Sequence, residues 1–138
     1  MRKLFLDTNI IIDIILDRQP FSKYSIEILK KAENNELELY ISSHTIATTH
    51  YILKKILQEK TVRDILSNLI EIIHIIPIDR DIIKKGLKSK HKDFEDALQI
   101  ISAYTITDME GIVTRNIKDF KGSEIPVFTP DELVLKLS

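Results

Sequence analysis

The chain has 138 residues, of which 43% are hydrophobic, so its length and composition suit one domain with a single core. Its 20 lysines and arginines nearly balance 21 aspartates and glutamates, and this net charge of −1 excludes a global attraction to nucleic acids or membranes. The absence of cysteine excludes disulfides, thiolate zinc sites and cysteine nucleophiles; because it also fits a reducing compartment, we expect a cytoplasmic protein.

No segment is expected to direct the chain to a membrane or across one. The N-terminal sequence MRKLFLDTN reaches a charge too soon for a signal peptide, and apolar runs such as NIIIDIIL are too short to span a bilayer. The chain has only three glycines and four prolines, and it contains no repeat or linker-like stretch. We therefore expect one domain covering residues 1–138.

Short apolar runs alternate with helical spacing along the chain. The predicted strands are 3–6, 37–42, 74–79, 111–114 and 126–128. The predicted helices are 9–16, 21–34, 43–57, 61–73, 81–88, 94–105 and 130–137, with one helical turn at 117–120. Thr129 and Glu132 form a capping-box pattern before the last helix. This alternation predicts an α/β fold in which helices cover both faces of a parallel sheet.

Polar residues follow the first predicted strand directly, in the stretch LFLDTNIIID. Asp7, Thr8 and Asn9 have a simple interpretation, because Asn9 is a good helix cap and Asp7 suits the positive end of the helix dipole. Capping needs only one of them, and ligands of parallel sheets bind at the carboxyl ends of strands. Asp13 is expected to face solvent, with a supporting place near the site as the alternative.

Two further acidic clusters lie at comparable junctions. Asp93 and Asp96 open a predicted helix in DFEDAL, and Asn116 and Asp119 follow a predicted strand in GIVTRNIKDF. Either cluster alone is explained by capping. Together with Asp7, however, they would gather several carboxylates at one edge of the sheet, where a divalent cation would relieve their repulsion. Ligands that are all oxygen favour Mg²⁺ or Mn²⁺.

The segments LDTNIIID, DFEDALQI and IVTRNIKDF resemble the acidic motifs of PIN-domain nucleases, including the VapC-type toxins of toxin–antitoxin pairs. The resemblance covers essentially the whole chain. It implies a three-layer α/β/α sandwich with a central parallel sheet of about five strands, and Mg²⁺- or Mn²⁺-dependent endonucleolytic cleavage of RNA. It also implies a homodimer and an antitoxin partner. The metal ligands it implies are Asp7, Asp96 and Asp119, and the residues that would support them are Thr8, Asn9, Thr114 and Asn116.

One position departs from the pattern of that family. PIN domains usually carry a glutamate on the helix after the second strand, and in ISSHTIATTHYIL this slot holds Thr48. The loss of one charge leaves three alternatives open: weaker metal binding, replacement by another carboxylate such as Asp93 or Glu95, or a catalytically weak protein. His44 lies four residues before Thr48, which allows a polar network near the site, although a structural histidine is favoured.

The segment DRDIIKKGLKSKHK (79–92) carries six lysines and arginines just before DFEDAL. Such a run is usually a solvated helix face, but beside a metal site it suits contact with an RNA backbone. The residues assigned to that contact are Lys88, Lys90, Lys92 and Arg115, with Lys118 and Lys121 extending the patch. The aromatic residues Phe5, Tyr51, Tyr104 and Phe120 are expected in the core.

The resulting hypothesis is metal-assisted hydrolysis of an RNA phosphodiester, with the carboxylates holding the ion. The chief alternative is a catalytically weak or inactive PIN-like module that binds RNA or a protein, which Thr48 and the balanced charge favour. A phosphotransferase of the haloacid-dehalogenase type would need Asp-x-Asp after the first strand, and here the pattern is Asp7-Thr8-Asn9. A P-loop is excluded because the chain has no GxxxxGK[ST] motif.

Overall fold

The computed structural model describes residues 2–138 and contains a five-stranded sheet. Its strands are β1 (Arg2–Leu6), β2 (Leu37–Ser42), β3 (His74–Ile76), β4 (Met109–Val113) and β5 (Val127–Phe128). All neighbouring strands are parallel, in the order β3-β2-β1-β4-β5. The predicted parallel sheet of about five strands is confirmed.

Helices connect these strands and cover the sheet. They are α1 (Thr8–Leu16), α2 (Ser22–Glu33), α3 (Ser43–Leu53), α4 (Glu59–Leu69), α5 (Arg80–Lys88), α6 (Phe94–Tyr104) and α7 (Pro130–Leu137), with a 3₁₀ helix at Ile117–Phe120. The predicted capping box of Thr129 and Glu132 is present at the start of α7. In the described part of the chain, no helix combines the length and apolar character that crossing a membrane requires.

Side chains of β1 alternate between two cores, as expected for a strand buried on both faces. Leu4 and Leu6 pack in a cluster with residues of α1, α2 and α4, such as Ile10, Ile28 and Leu66. Phe5 points to the other face, where it packs with residues of α6. The three-layer sandwich therefore follows directly from the period-2 pattern of the central strand.

Several predicted element bounds were wrong, each for a local reason. The helix predicted for 43–57 ends at Leu53, where the chain continues in turn-like bonds such as Ile56 N–H to the Leu53 carbonyl at 3.0 Å. The helix predicted for 61–73 instead spans Glu59–Leu69. Strand β3 ends at Ile76 because the next residue, Pro77, has no N–H to donate. Strand β4 begins at Met109, because it pairs with Lys3 before an irregularity in register.

Two aromatic residues were also misplaced by sequence reasoning. Phe5 and Phe120 are buried as predicted, whereas Tyr51 is 56% exposed and Tyr104 is 39% exposed. The tyrosine hydroxyl favours a place with access to polar partners, and the Tyr104 hydroxyl accepts from the backbone N–H of Glu124 at 2.8 Å.

Strand order reverses between β1 and β4, which lie side by side although they are far apart in the chain. The pairing continues past the last strand residue, because the Asp7 N–H donates to the Val113 carbonyl at 3.0 Å. Parallel α/β sheets bind ligands in the crevice outside this switch point. The fold therefore places Asp7 and Thr114 side by side where a site is expected.

Candidate active site at the carboxyl edge of the sheet

Asp7 is the buried centre of the site, with 4% of its surface exposed. It precedes α1, but its side chain makes no capping hydrogen bond, and Asn9 lies inside the helix rather than at its cap. Thr114 donates through Oγ1 to Asp7 Oδ2 at 2.8 Å, and Gln99 donates through Nε2 to Oδ1 at 3.0 Å. Burial raises the pKa of Asp7, and these two hydrogen bonds partly oppose the rise.

Gln99 is a member of the site that sequence reasoning missed. It is 3% exposed on α6, and its Oε1 accepts from the backbone N–H of Thr8 at 3.1 Å while its Nε2 holds Asp7. It lies three residues after Asp96 and therefore on the same face of α6. The three-residue spacing from Asp96 could have identified Gln99, but an uncharged amide did not stand out as a candidate for an acidic site.

A chain of hydroxyl groups extends from Thr8 to the start of α3. Thr8 Oγ1 lies 2.8 Å from Thr45 Oγ1, which lies 3.3 Å from Ser42 Oγ. Ser42 Oγ in turn lies 2.7 Å from His44 Nδ1. His44 Nε2 is enclosed and has no hydrogen-bond partner among the described residues, and burial lowers the pKa of His44 against smaller opposing effects of Glu95 and Asp7. His44 thus belongs to a polar network, which runs through Ser42 and Thr45; its connection to Thr48 stays a prediction.

The loop after β4 brings the third acidic cluster to this edge. Thr114 is buried, and its Oγ1 accepts from the backbone N–H of Asn116 at 3.0 Å. Asn116 precedes the 3₁₀ helix without a capping bond from its side chain, and its carbonyl accepts from the Asp119 N–H at 3.0 Å. Asn116 and Asp119 are both exposed. One hydrogen-bonded path thus connects Asp7 to the loop that carries Asp119.

Asp93 and Asp96 have different environments at the start of α6. Asp93 is the helix cap, because its Oδ1 accepts from the Asp96 N–H at 2.9 Å, as the capping interpretation predicted. Asp96 is half-buried, and its pKa is raised to about 7, first by burial and then by the charges of its acidic neighbours. In order of effect these neighbours are Asp93, Asp7, Asp119 and Glu95. The structure therefore brings all three acidic clusters within electrostatic reach of Asp96.

Among residues 2–138, no group of three or more carboxylate or histidine side chains is already arranged to hold a metal ion. The donor set nevertheless fits a hard divalent cation, because it consists of carboxylate oxygens. Burial is the first cause of the raised pKa of Asp96, and the charges of its acidic neighbours add to it; a cation would oppose both effects. The carboxylate oxygens are therefore suitable ligands for such an ion, and the side chains that carry them would have to move to complete its coordination.

A cleft of about 310 Å³ opens beside Asp96, and we call it the carboxylate cleft. It is lined by Lys90, His91, Lys92, Asp93, Asp96, Lys118, Asp119, Lys121 and Gly122. Lys90 and Lys92 belong to the predicted basic run, which thus lies next to the acidic groups. Lys88 is exposed at the end of α5 and is not part of this lining.

Asp13 is fully buried, so the expectation that it faces solvent was wrong. Arg115 Nε donates to its Oδ2 at 2.6 Å and Arg115 Nη2 donates to its Oδ1 at 3.2 Å, while Arg18 lies 3.7 Å away. A buried carboxylate requires such a partner. Arg115 had been assigned to RNA, and the structure instead directs its donors at Asp13; its contact with RNA stays a prediction.

Thr48 and Glu95 are the remaining predicted site residues. Thr48 is half-buried on α3, three residues after Thr45, whose hydroxyl contacts Thr8. Glu95 is exposed in the first turn of α6, and its charge contributes to the pKa of Asp96. Glu95 therefore lies near the acidic groups, whereas a direct contribution of Thr48 to them stays a prediction.

Comparison with known proteins agrees with this architecture. A family model described as PIN domain matches residues 3–118. Ribonuclease VapC1 of Aquifex aeolicus (strain VF5) is 33% identical over 137 residues, which cover 94% of this chain and 92% of that protein. A toxin–antitoxin complex from Klebsiella pneumoniae contains a chain with 31% identity and a TM-score of 0.68, covering 92% of this chain and 97% of its own.

VapBC-1 from nontypeable Haemophilus influenzae is similar in fold, with a TM-score of 0.69 over 94% of this chain and 98% of that chain, at 16% identity. The family model covers most of the chain, and the relatives cover 92–94% of it. The chain therefore belongs to the PIN-domain family.

Proposed function

We propose that the protein is a metal-dependent endoribonuclease that hydrolyses phosphodiester bonds of RNA. The observation that carries this proposal is the environment of Asp96, where burial raises the pKa to about 7 and the charges of Asp93, Asp7, Asp119 and Glu95 raise it in the same direction. Clustered carboxylates with perturbed pKa values are typical of functional sites. The similarity to a protein named as a ribonuclease supports the same conclusion.

In this mechanism Asp7, Asp96 and Asp119 would hold Mg²⁺ or Mn²⁺, with Asp93 as a further oxygen donor. The bound ion would supply polarisation of the phosphate and activation of water for hydrolysis. Gln99 and Thr114 hold the two oxygens of Asp7 in a fixed orientation through their hydrogen bonds. This orientation reduces the rearrangement needed when the ion binds.

The lysines of the carboxylate cleft would hold the RNA backbone. Lys90, Lys92, Lys118 and Lys121 line the cleft together with Asp96 and Asp119, so phosphates drawn to these cations would lie beside the acidic groups. Lys88 and Arg115 are proposed as outer contacts of the same strand. Thr8, Asn9, Thr48, Glu95, Thr114 and Asn116 would support the ligands by hydrogen bonding or charge.

We further propose that the protein is the toxin of a toxin–antitoxin pair. The similarity to a chain of a toxin–antitoxin complex, at 31% identity over nearly the whole length, supports this assignment. The partners would be an antitoxin protein, the RNA substrate and a second copy of the chain in a homodimer. A gene for a small DNA-binding protein next to this one would support the pairing.

The second candidate is a PIN-like module that binds RNA or protein without cutting. Thr48 favours it, because the glutamate usual in the family is missing there.

Cleavage of labelled single-stranded RNA with Mg²⁺ or Mn²⁺ separates the two candidates. A nuclease should cut, should stop when EDTA is added, and should lose activity in Asp96→Asn. Asp81→Asn is the matched control, because Asp81 is an exposed carboxylate paired with Lys85 on α5. Activity that survives both EDTA and Asp96→Asn would contradict the proposal. Binding of RNA without cutting by the wild type would favour the module.

A further inference from the structure

A second cleft, of about 380 Å³, lies on the other side of the loop that carries Asn116 and Asp119. We call it the Phe21 cleft; its lining includes Phe21, Arg115, Asn116 and Asp131. We propose that this cleft binds one nucleobase of single-stranded RNA next to the cleavage site. The inference rests on the proposed function, because it assigns a subsite for the same substrate.

Two of the residues that line the cleft, Phe21 and Arg115, form a cation–π contact. The guanidinium carbon of Arg115 lies 4.0 Å from the centroid of the Phe21 ring, and Phe21 is 46% exposed. The edge of the guanidinium is fixed by its two hydrogen bonds to buried Asp13. Aromatic rings and arginine planes are the surfaces on which unpaired RNA bases stack. The pair is therefore a rigid platform, whose orientation is set by a buried carboxylate.

Polar groups at the rim suit the edge of a base. Asn116 offers an amide, and Asp131 offers a carboxylate in the first turn of α7. Because Nε and Nη2 of Arg115 already donate to Asp13, the contact that Arg115 offers a base in this cleft is the face of its guanidinium. A carboxylate accepts from the amino groups of adenine, cytosine and guanine, and uracil has no such group. The proposed ligand is thus an amino-bearing base.

Residues of one loop line both clefts, which favours binding of a single RNA strand to both. Asn116 lines the Phe21 cleft, and its backbone N–H is bonded to Thr114, which holds Asp7. Asp119, three residues further on, lines the carboxylate cleft. A purely apolar protein side chain in the Phe21 cleft would leave the rim groups without partners, which favours the base as occupant.

The test is a double-mutant cycle between protein and RNA. Binding of fluorescent single-stranded RNA is measured by anisotropy in EDTA, so that the readout does not depend on cleavage. The oligonucleotides form a set in which each member lacks the base at one position. For the wild type, removal of one particular base should weaken binding roughly 5- to 150-fold, the range for loss of one stacked base. In Phe21→Ala the same removal should have no effect.

Three variants complete the design. Phe21→Trp should restore the dependence on that base, which a general folding defect would not do. Tyr51→Ala is the matched control, because Tyr51 is an exposed aromatic with Lys55 4.4 Å from its ring centroid, outside both clefts. Asp131→Asn should reduce the preference for cytosine over uracil at the sensitive position.

Failure of the subsite and failure of the nuclease are distinguishable. Suppose that the protein cleaves RNA with Mg²⁺, but that Phe21→Ala leaves the effect of every missing base unchanged. The proposed subsite is then wrong, and the proposed nuclease activity stands. A protein that cuts no RNA, but shows the coupling in EDTA, keeps the subsite and overturns the nuclease. If Phe21→Ala changes the effect of no missing base, and a bound protein partner buries Phe21 instead, the cleft belongs to that partner and the inference is overturned.

Discussion

Gln99 donates through Nε2 to Oδ1 of Asp7 at 3.0 Å, so a residue of α6 orients the carboxylate at the end of β1. The same amide accepts from the backbone N–H of Thr8 at 3.1 Å. Both partners are buried, and neither can turn to water if the amide is removed. Gln99 is thus a positioning residue that connects α6 to the carboxylate after β1 and to the first residue of α1.

Replacing Gln99 by Met should lower the free energy of unfolding by about 1–3 kcal/mol, because Asp7 and the Thr8 N–H are left without this partner. Urea denaturation measures the change. Ser102→Ala is the control: Ser102 lies one turn further along α6, is fully buried, and has a hydroxyl without a partner, so its loss should have little effect. Equal losses in both variants would mean that the amide does not stabilise the site.

The ion pair of Asp13 and Arg115 should behave as a buried pair. Arg115→Met leaves a fully buried carboxylate with only Arg18 nearby, and we expect a loss of about 3–5 kcal/mol in urea denaturation. Arg63→Met, which breaks an exposed pair with Glu59, should cost no more than about 1 kcal/mol.

Replacing both partners, as in Asp13→Leu with Arg115→Met, should recover much of the stability lost in the single variant. A double variant that is less stable than Arg115→Met would show that the pair itself, and not the unpaired charge, accounts for the loss.

Residues whose roles follow from their immediate neighbours in the sequence could be predicted. Residues whose roles depend on partners far away in the chain could not. Asp7 was found because it directly follows a buried apolar strand, and the cap at Asp93 was found from its spacing to Asp96. Asp13 was missed because a lone acid on a helix usually faces solvent, and its partner is 102 residues away. Gln99 was missed because it carries no charge, although its spacing from Asp96 placed it on the right face.

The pKa of Asp96 predicts how stability depends on pH without metal. Its value of about 7 in the folded protein exceeds the ordinary 3.8, so between these values the folded state holds a proton that the unfolded chain has lost. The free energy of unfolding should therefore fall as pH rises through this window and level off above it. Urea denaturation in EDTA across this range measures the slope.

Asp96→Asn should remove that part of the slope, and Asp81→Asn should leave it unchanged. If wild type and Asp96→Asn show the same dependence on pH, the pKa of Asp96 is not raised in the folded protein.

Thr48 tests the departure from the family pattern. If its side chain faces the carboxylates, Thr48→Glu adds a negative charge to them, which should lower the melting temperature in EDTA by repulsion. The same charge should strengthen metal binding and enlarge the rise in melting temperature on adding Mg²⁺. Scanning calorimetry with and without the ion measures both. A variant in which neither quantity changes would place residue 48 away from the site.

A divalent cation is proposed to bind the carboxylates of Asp7, Asp96 and Asp119. Titration calorimetry of Mn²⁺ into the wild type and Asp96→Asn measures this binding, with Asp81→Asn as the control for general loss of charge. We expect saturable binding to the wild type and to Asp81→Asn, and affinity at least about tenfold weaker in Asp96→Asn, since loss of even an outer partner of a ligand costs that much. Equal Mn²⁺ affinity in all three proteins would contradict it.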